Sequence, residues 1–161
     1  MNNDDIVITS AFRTAIGSFG GSLASQTAPQ LGAAVIKKCL EHSELKNDEV
    51  DMIYMGQVLT TGVGQNPARQ AAMHAGIAKE KTATTINQVC GSGLASIALA
   101  YNSIKCKDGS IIIAGGQESM SNSPHYIHLR DGIKMGDGKM QDSMIVDGLW
   151  DTYNQYHMGM T

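Results

Sequence analysis

Ala83-Thr-Thr-Ile-Asn-Gln-Val89 runs straight into Cys90-Gly-Ser-Gly-Leu-Ala-Ser-Ile-Ala-Leu-Ala-Tyr101, and that junction decides the fold. The first seven residues are largely β-branched or apolar and predict a strand. The remainder predicts a helix from Cys90 to about Lys105. Similar pairs lie on either side. Met52-Ile-Tyr-Met55 predicts a strand, followed by the glycine-rich turn Thr61-Gly-Val-Gly-Gln-Asn66 and a helix opened by Pro67 and running to about Ala75. Ser110-Ile-Ile-Ile-Ala114 predicts another strand. Upstream, Asp5-Ile-Val-Ile-Thr-Ser10 predicts a first strand, and Arg13-Thr-Ala-Ile-Gly-Ser-Phe-Gly-Gly21 a glycine-rich loop. A helix should begin near Thr27, with Pro29 in its first turn and an apolar stripe at Ala28, Leu31, Gly32, Val35, Ile36, Cys39 and Leu40. Strand and helix alternate, so the expected fold is α/β, a mostly parallel sheet with helices on both faces.

Composition narrows the function. The 161 residues are 42% hydrophobic and 17% charged, with a formal net charge of -3. That mild acidity, with no basic run, gives no footprint for nucleic acid. The start, Met1-Asn-Asn-Asp-Asp5, is acidic where a signal peptide would be basic, and no apolar stretch reaches about 20 residues. The expectation is a cytoplasmic protein with no membrane partner. Three cysteines, Cys39, Cys90 and Cys106, make an odd count without zinc-type spacing, so no disulfide framework or cysteine metal site is expected. His125 and His128 form an H-x-x-H, but no acidic or thiol partner stands at ligand spacing, and no metal site is assigned. Arg130, Lys134 and Lys139 read as a solvated face.

Cys90 stands where a strand turns into a helix. A helix N-terminus offers unpaired N–H groups and partial positive charge, which favour a thiolate and can hold an oxyanion. Gly91 and Gly93 keep side chains away, so a substrate carbonyl can approach the backbone. In open α/β sheets ligands collect at this carboxyl edge. Two other readings compete: cysteine is often just a small buried hydrophobe, and Gly91-Ser-Gly-Leu-Ala-Ser96 nearly fits a dinucleotide-binding turn. The second is weakened because Ser96 replaces the third glycine and no acidic residue clearly ends the next strand. Cys39 and Cys106, within or at the end of helices, read as structural.

Several runs together resemble the thiolase family. Asn87-Gln-Val-Cys-Gly-Ser-Gly-Leu94 resembles its nucleophile motif. Arg13–Phe19, Gly56-Gln-Val-Leu59, Gly64-Gln-Asn-Pro-Ala-Arg-Gln-Ala71 and Ala114-Gly-Gly-Gln-Glu-Ser-Met-Ser121 match in the same order. So do Lys134-Met-Gly-Asp-Gly-Lys-Met140, Asp147-Gly-Leu149 and Tyr156-His-Met-Gly159. The resemblance implies acyl transfer between coenzyme A thioesters, by Claisen condensation or thiolysis, through an acyl-cysteine at Cys90. Its backbone N–H would form part of the oxyanion hole. Coenzyme A thioesters would be substrates, and no separate cofactor is implied. The Lys134–Met140 run looks most like biosynthetic, short-chain members. By carry-over, Leu149, His157 and Met158 line the coenzyme A and acyl sites, and the inserted loop helps to build a homo-oligomer.

The resemblance also divides the chain: residues 1–118 as the N-terminal α/β domain, 119–161 as the beginning of the inserted loop. The family's activating histidine, water-positioning asparagine and second cysteine have no counterparts here. Leu94–Tyr101 is apolar on nearly every side, as in a helix buried all round, and 117–161 shows little periodicity. Truncation is therefore expected. Two alternatives stay open: a non-catalytic thiolase-like module, or another condensing enzyme of the superfamily such as a ketoacyl synthase.

Overall fold

The computed structural model describes residues 5–161, so the acidic start lies, apart from Asp5, outside the described residues. Its centre is a parallel sheet of β1 (Met52–Gly56), β2 (Thr82–Ile86) and β3 (Ile112–Gly116), in the order β2-β1-β3. Met52 stands opposite Thr82 and Ile112, and Gly56 opposite Ile86 and Gly116, so all three strands end level.

Side chains alternate across β1 and divide the helices between the faces. Ile53 and Met55 are buried in one cluster with Ala33, Ile36 and Leu40 of α1 (Ala28–His42) and Ala68, Ala71, Ala72 and Ala75 of α2 (Pro67–Ala75). Tyr54 faces the other way and its hydroxyl meets Ser103 Oγ of α3 (Ser92–Lys105) at 3.0 Å. Helices therefore cover both faces, as the alternation predicts. The start of α1 is fixed by a capping box: Gln30 N–H donates to Thr27 Oγ1, and Gln30 Oε1 accepts from Thr27 N–H at 2.8 Å.

Three expectations need correction. Asp5–Ser10 forms no strand: a ladder needs a neighbouring strand, no sheet among the described residues includes this run, and Ile8 is 77% exposed. The sheet among the described residues has three strands. β2 stops at Ile86, because the Asn87 side chain bonds Val89 N–H and bends the chain. The helix expected from Cys90 starts at Ser92, with Gly91 as its cap.

α3 is arranged unusually. Its sheet side is small, with Ser92, Ser96, Ala100 and Ser103 buried, while Leu94, Ile97, Leu99 and Tyr101 are exposed. The all-round apolar character seen in the sequence becomes an uncovered apolar face.

Residues 119–161 form short elements. β4 (His125–Tyr126) pairs antiparallel with β5 (Gln141–Asp142), a π-helix spans Met144–Leu149, and β6 (Trp150–Asp151) pairs with β7 (Tyr156–His157). Ser119 Oγ donates to Gln26 O, and Asn122 Nδ2 to Ala24 O and Gln26 O, latching this segment to the loop before α1. No helix of the described residues is long and apolar enough to cross a membrane.

The amino ends of the strands are tied by Asp51. Its Oδ2 accepts from Ser110 N–H at 2.8 Å and Ile111 N–H at 3.2 Å, and Lys81 Nζ approaches Oδ1 at 3.8 Å. The two amides, and then the lysine, hold this carboxyl below its ordinary value. A carboxyl lowered on folding lends stability that is present above its unfolded pKa and lost as pH falls through the folded one. Asp51→Asn should therefore lower stability at neutral pH, by about 0.5 kcal/mol once solvent screening of this partly exposed group is allowed for. The deficit should shrink as pH falls below the ordinary aspartate range. Thermal unfolding of both proteins between neutral and acid pH measures it.

Candidate active site

The three strands end side by side, and α3 begins directly over them. That closeness depends on missing side chains. A Cβ on Gly56 would fall 2.5 Å from the Ser92 carbonyl carbon, and one on Gly116 would fall 3.4 Å from Gly93 Cα. Glycine at 56 thus lets the first turn of α3 sit on the carboxyl edge of the sheet, with Gly93 and Gly116 in ordinary backbone contact beside it.

The turn from β2 into α3 carries Cys90. Gly91 N–H donates to Gln88 O at 3.0 Å and Ser92 N–H to Val89 O at 3.1 Å. Ser92 Oγ accepts from Gln88 N–H at 2.8 Å and donates to Val89 O at 2.6 Å. These four bonds fold the chain tightly enough to force Val89 to φ 48, the left-handed region that a β-branched residue avoids. The next residue, Cys90, is exposed, which removes the reading of it as a buried packing residue. Cys39 is half-buried on α1, and Cys106 is exposed at the C-cap of α3 rather than packed.

Cys90 opens on a cavity of about 340 Å³ lined by Gly56, Gln57, Val58, Val89, Ser92, Gly93, Gly116, Gln117 and Glu118. All come from the three strand ends and the start of α3. Two buried amides brace its base: Gln117 Nε2 donates to Gln57 Oε1 and Gln57 Nε2 to Leu59 O, each at 2.8 Å. Glu118 accepts from Val58 N–H at 2.8 Å and Leu59 N–H at 3.1 Å. Burial pushes its carboxyl above the ordinary value, and those two amides oppose the rise. Among the described residues the lining brings no imidazole to the thiol.

Of the residues singled out from sequence, Cys90, Gly91 and Gly93 are together at this turn. Leu149, His157 and Met158 lie apart from the lining, along the Met144–Met160 segment. Leu149 is half-buried and ends the π-helix; His157 pairs with Trp150 and its Nδ1 accepts from Gly159 N–H at 3.1 Å; Met158 is exposed. That segment rests on the loop after β1: a Cβ on Gly148 would meet Leu59 Cδ2 at 3.0 Å, and Thr61 Oγ1 donates to Asp147 Oδ2 at 2.6 Å. His125 finds an acidic neighbour that spacing did not reveal, Asp142 Oδ2 at 3.7 Å across the β4–β5 pair. No group of three or more metal-binding side chains forms among the described residues. Gln57, Gln117 and Glu118 were given no site role from sequence, although they lie in the Gly56–Leu59 and Ala114–Ser121 runs, just past the ends of β1 and β3.

The strained residue supplies a test. Val89 is 49% exposed, so replacing it forfeits little burial. Val89→Asn, which tolerates the left-handed region, should raise stability by about 1 kcal/mol. An upward shift of a few degrees in the thermal midpoint is the expected readout, roughly 2–4 °C.

A family model described as the thiolase N-terminal domain matches residues 6–161. The acetyl-CoA acetyltransferase of Cupriavidus necator is 60% identical over 158 residues, which is 98% of this chain and 40% of that protein. That of Rhizobium meliloti is 56% identical over 161 residues, covering 100% of this chain and 41% of the relative. That of Pseudomonas aeruginosa is 54% identical over 158 residues, or 98% and 40%. The chain thus spans about two fifths of the length of these curated relatives. With a parallel α/β sheet, a cysteine turn at its carboxyl edge and a match over nearly its whole length, the chain belongs to the thiolase family, as an N-terminal domain.

Proposed function

We propose that this domain supplies the acyl-accepting thiol of an acetyl-CoA acetyltransferase, converting two acetyl-CoA to acetoacetyl-CoA and coenzyme A, and the reverse. One observation carries the reading: Cys90 is exposed on a cavity at the carboxyl edge of the sheet, in the turn that leads into α3. The Cys90 sulfur attacks the thioester carbonyl, the tetrahedral oxyanion collapses, and coenzyme A leaves as its thiol, taking the proton that Cys90 gave up. A second acetyl-CoA then loses an α-proton and its α-carbon attacks the acyl-cysteine carbonyl; the C–S bond breaks, and the Cys90 sulfur leaves as the thiol by regaining a proton equivalent to the one lost from the α-carbon. Exchange of one thioester for another is nearly isoenergetic, so a thiol suits this substrate.

The Cys90 N–H stands beside the cap of α3 and would help to hold the oxyanion. The group that activates the thiol would come from outside the cavity's described walls. Leu149, His157 and Met158 would contact the coenzyme A and acyl portions. Support for this is the seating of their segment on Leu59 and Thr61, in the loop that also floors the cavity. The reading calls for no resident cofactor. It carries with it a cytoplasmic setting, where acyl-CoA is made and consumed, and a homo-oligomeric full-length protein.

Cys90→Ser in the full-length protein should abolish acyl-enzyme formation and cut thiolysis of acetoacetyl-CoA by about a thousandfold or more. Labelled acetyl-CoA and mass analysis of the Cys90 peptide provide the measurement. Covalent label retained at another residue of the Ser variant would overturn the assignment, and a purely non-catalytic module would take no label even with Cys90 present.

A further inference from the structure

One carboxylate ties the ends of β3 and β1 together, and Asn87 extends the connection to the end of β2. Glu118 lies two residues past β3, yet both its oxygens serve consecutive amides just past β1: Val58 N–H donates to Oε2 at 2.8 Å and Leu59 N–H to Oε1 at 3.1 Å. An ionised carboxylate carries two acceptor oxygens and no donor, so it matches two parallel N–H groups as no amide side chain can. The connection continues beyond Val58. Its carbonyl accepts from Asn87 Nδ2 over a long 3.5 Å, and Asn87 Oδ1 accepts from Val89 N–H at 2.9 Å. Val89 is the strained residue, and Cys90 follows it. A single hydrogen-bonded path therefore leads from the end of β3, across the end of β1, to the nucleophile turn.

A second observation makes the path more than loop closure. Glu118 is a carboxylate in a largely desolvated wall, and burial raises its carboxyl. Holding an ionisable group there costs stability that ordinary packing would not. Glu118 also shares the cavity lining with Cys90.

We infer that Glu118 is a positioning residue for the Cys90 thiol: by fixing Val58 and Leu59 it holds the Asn87–Val89 turn that presents the sulfur to the cavity. This rests on the reading of Cys90 as the acyl acceptor. Glu118 acts through the backbone and Asn87, with no contact to the sulfur invoked.

The test measures acylation of Cys90 by acetyl-CoA in the full-length protein, comparing wild type with Glu118→Gln, Asn87→Asp and Asp51→Asn. Glutamine keeps one acceptor oxygen but sets an NH₂ against the other N–H, so Glu118→Gln should acylate about 10- to 100-fold more slowly at saturating acetyl-CoA. Half-saturation should move less than about twofold, because the binding groups are untouched. Asn87→Asp keeps the bond to Val89 N–H but loses the one to Val58 O, and its acylation should slow by about threefold or more. Asp51→Asn, which loosens the opposite edge of the sheet, should lower the thermal midpoint without slowing acylation.

Wild-type acylation in Glu118→Gln would overturn the inference. So would slowing in Asp51→Asn that matches it at an equal loss of midpoint, since a general loss of stability would then explain both. Should Glu118→Gln fail to fold, wild-type acylation in Asn87→Asp would overturn it alone. If wild type takes no acyl label at Cys90, the acyl-acceptor reading is what fails. The rate of Cys90 alkylation by iodoacetamide then decides the positioning role, and equal rates in wild type and variants would sink it.

Discussion

The first turn of α3 can sit on the sheet only because backbone meets backbone there. At Gly56, Gly93 and Gly116 no side chain separates the helix from the strands, and any added carbon at 56 would strike Ser92. Much else follows from that contact. With the helix so low, the chain leaving β2 has few residues in which to turn, and it does so through a knot of short bonds around Ser92. Val89 absorbs the torsion and Cys90 is left outside. The serines on the inner side of α3 belong to the same arrangement: Ser96 Oγ lies 2.6 Å from Gly93 O and 2.8 Å from Gly115 O, so its single proton is shared between a helix and a strand carbonyl.

Two carboxylates close the sheet at its ends, and they do so under opposite electrostatics. Asp51, at the amino edge, keeps water and a lysine nearby, and its amide partners lower its pKa. Glu118, at the carboxyl edge, accepts two amides as well, yet burial outweighs them and its pKa rises. Each accepts two consecutive amides, Asp51 on one oxygen and Glu118 on both, but their exposure to solvent differs. Asp51 therefore reads as a stabilising tie, whereas Glu118 holds shape at a cost, at the edge where the chemistry would occur.

Much of this was legible from residue order. The capping box at Thr27, the helix opened by Pro67 and the strands beginning near Met52 and Ala83 are local properties, written in residues a few positions apart. Cys90 was legible because a thiol between a strand and a helix is a local pattern too. The misses are non-local. Asp5–Ser10 has strand composition, but a strand is a relation between two backbones and no sheet among the described residues takes this run in. Glu118 looks like any surface acid until β1 and β3 bring it against amides about sixty positions away. The true start of α3 depended on the Ser92 hydroxyl turning back to Gln88, a choice between local bonds that composition does not settle.

The glycine contacts also bear on how such a cavity can change over evolution or in the laboratory. Position 56 leaves no room for a new side chain without lifting the helix, so the base of the cavity there is closed to variation. Val58 and Val89 are different: both line the cavity, and the hydrogen bonds from Glu118 and Asn87 hold their backbones while leaving their side chains free to vary. Variation in the cavity's shape is thus directed to the rim, and it would accumulate there while the floor at Gly56 stays fixed.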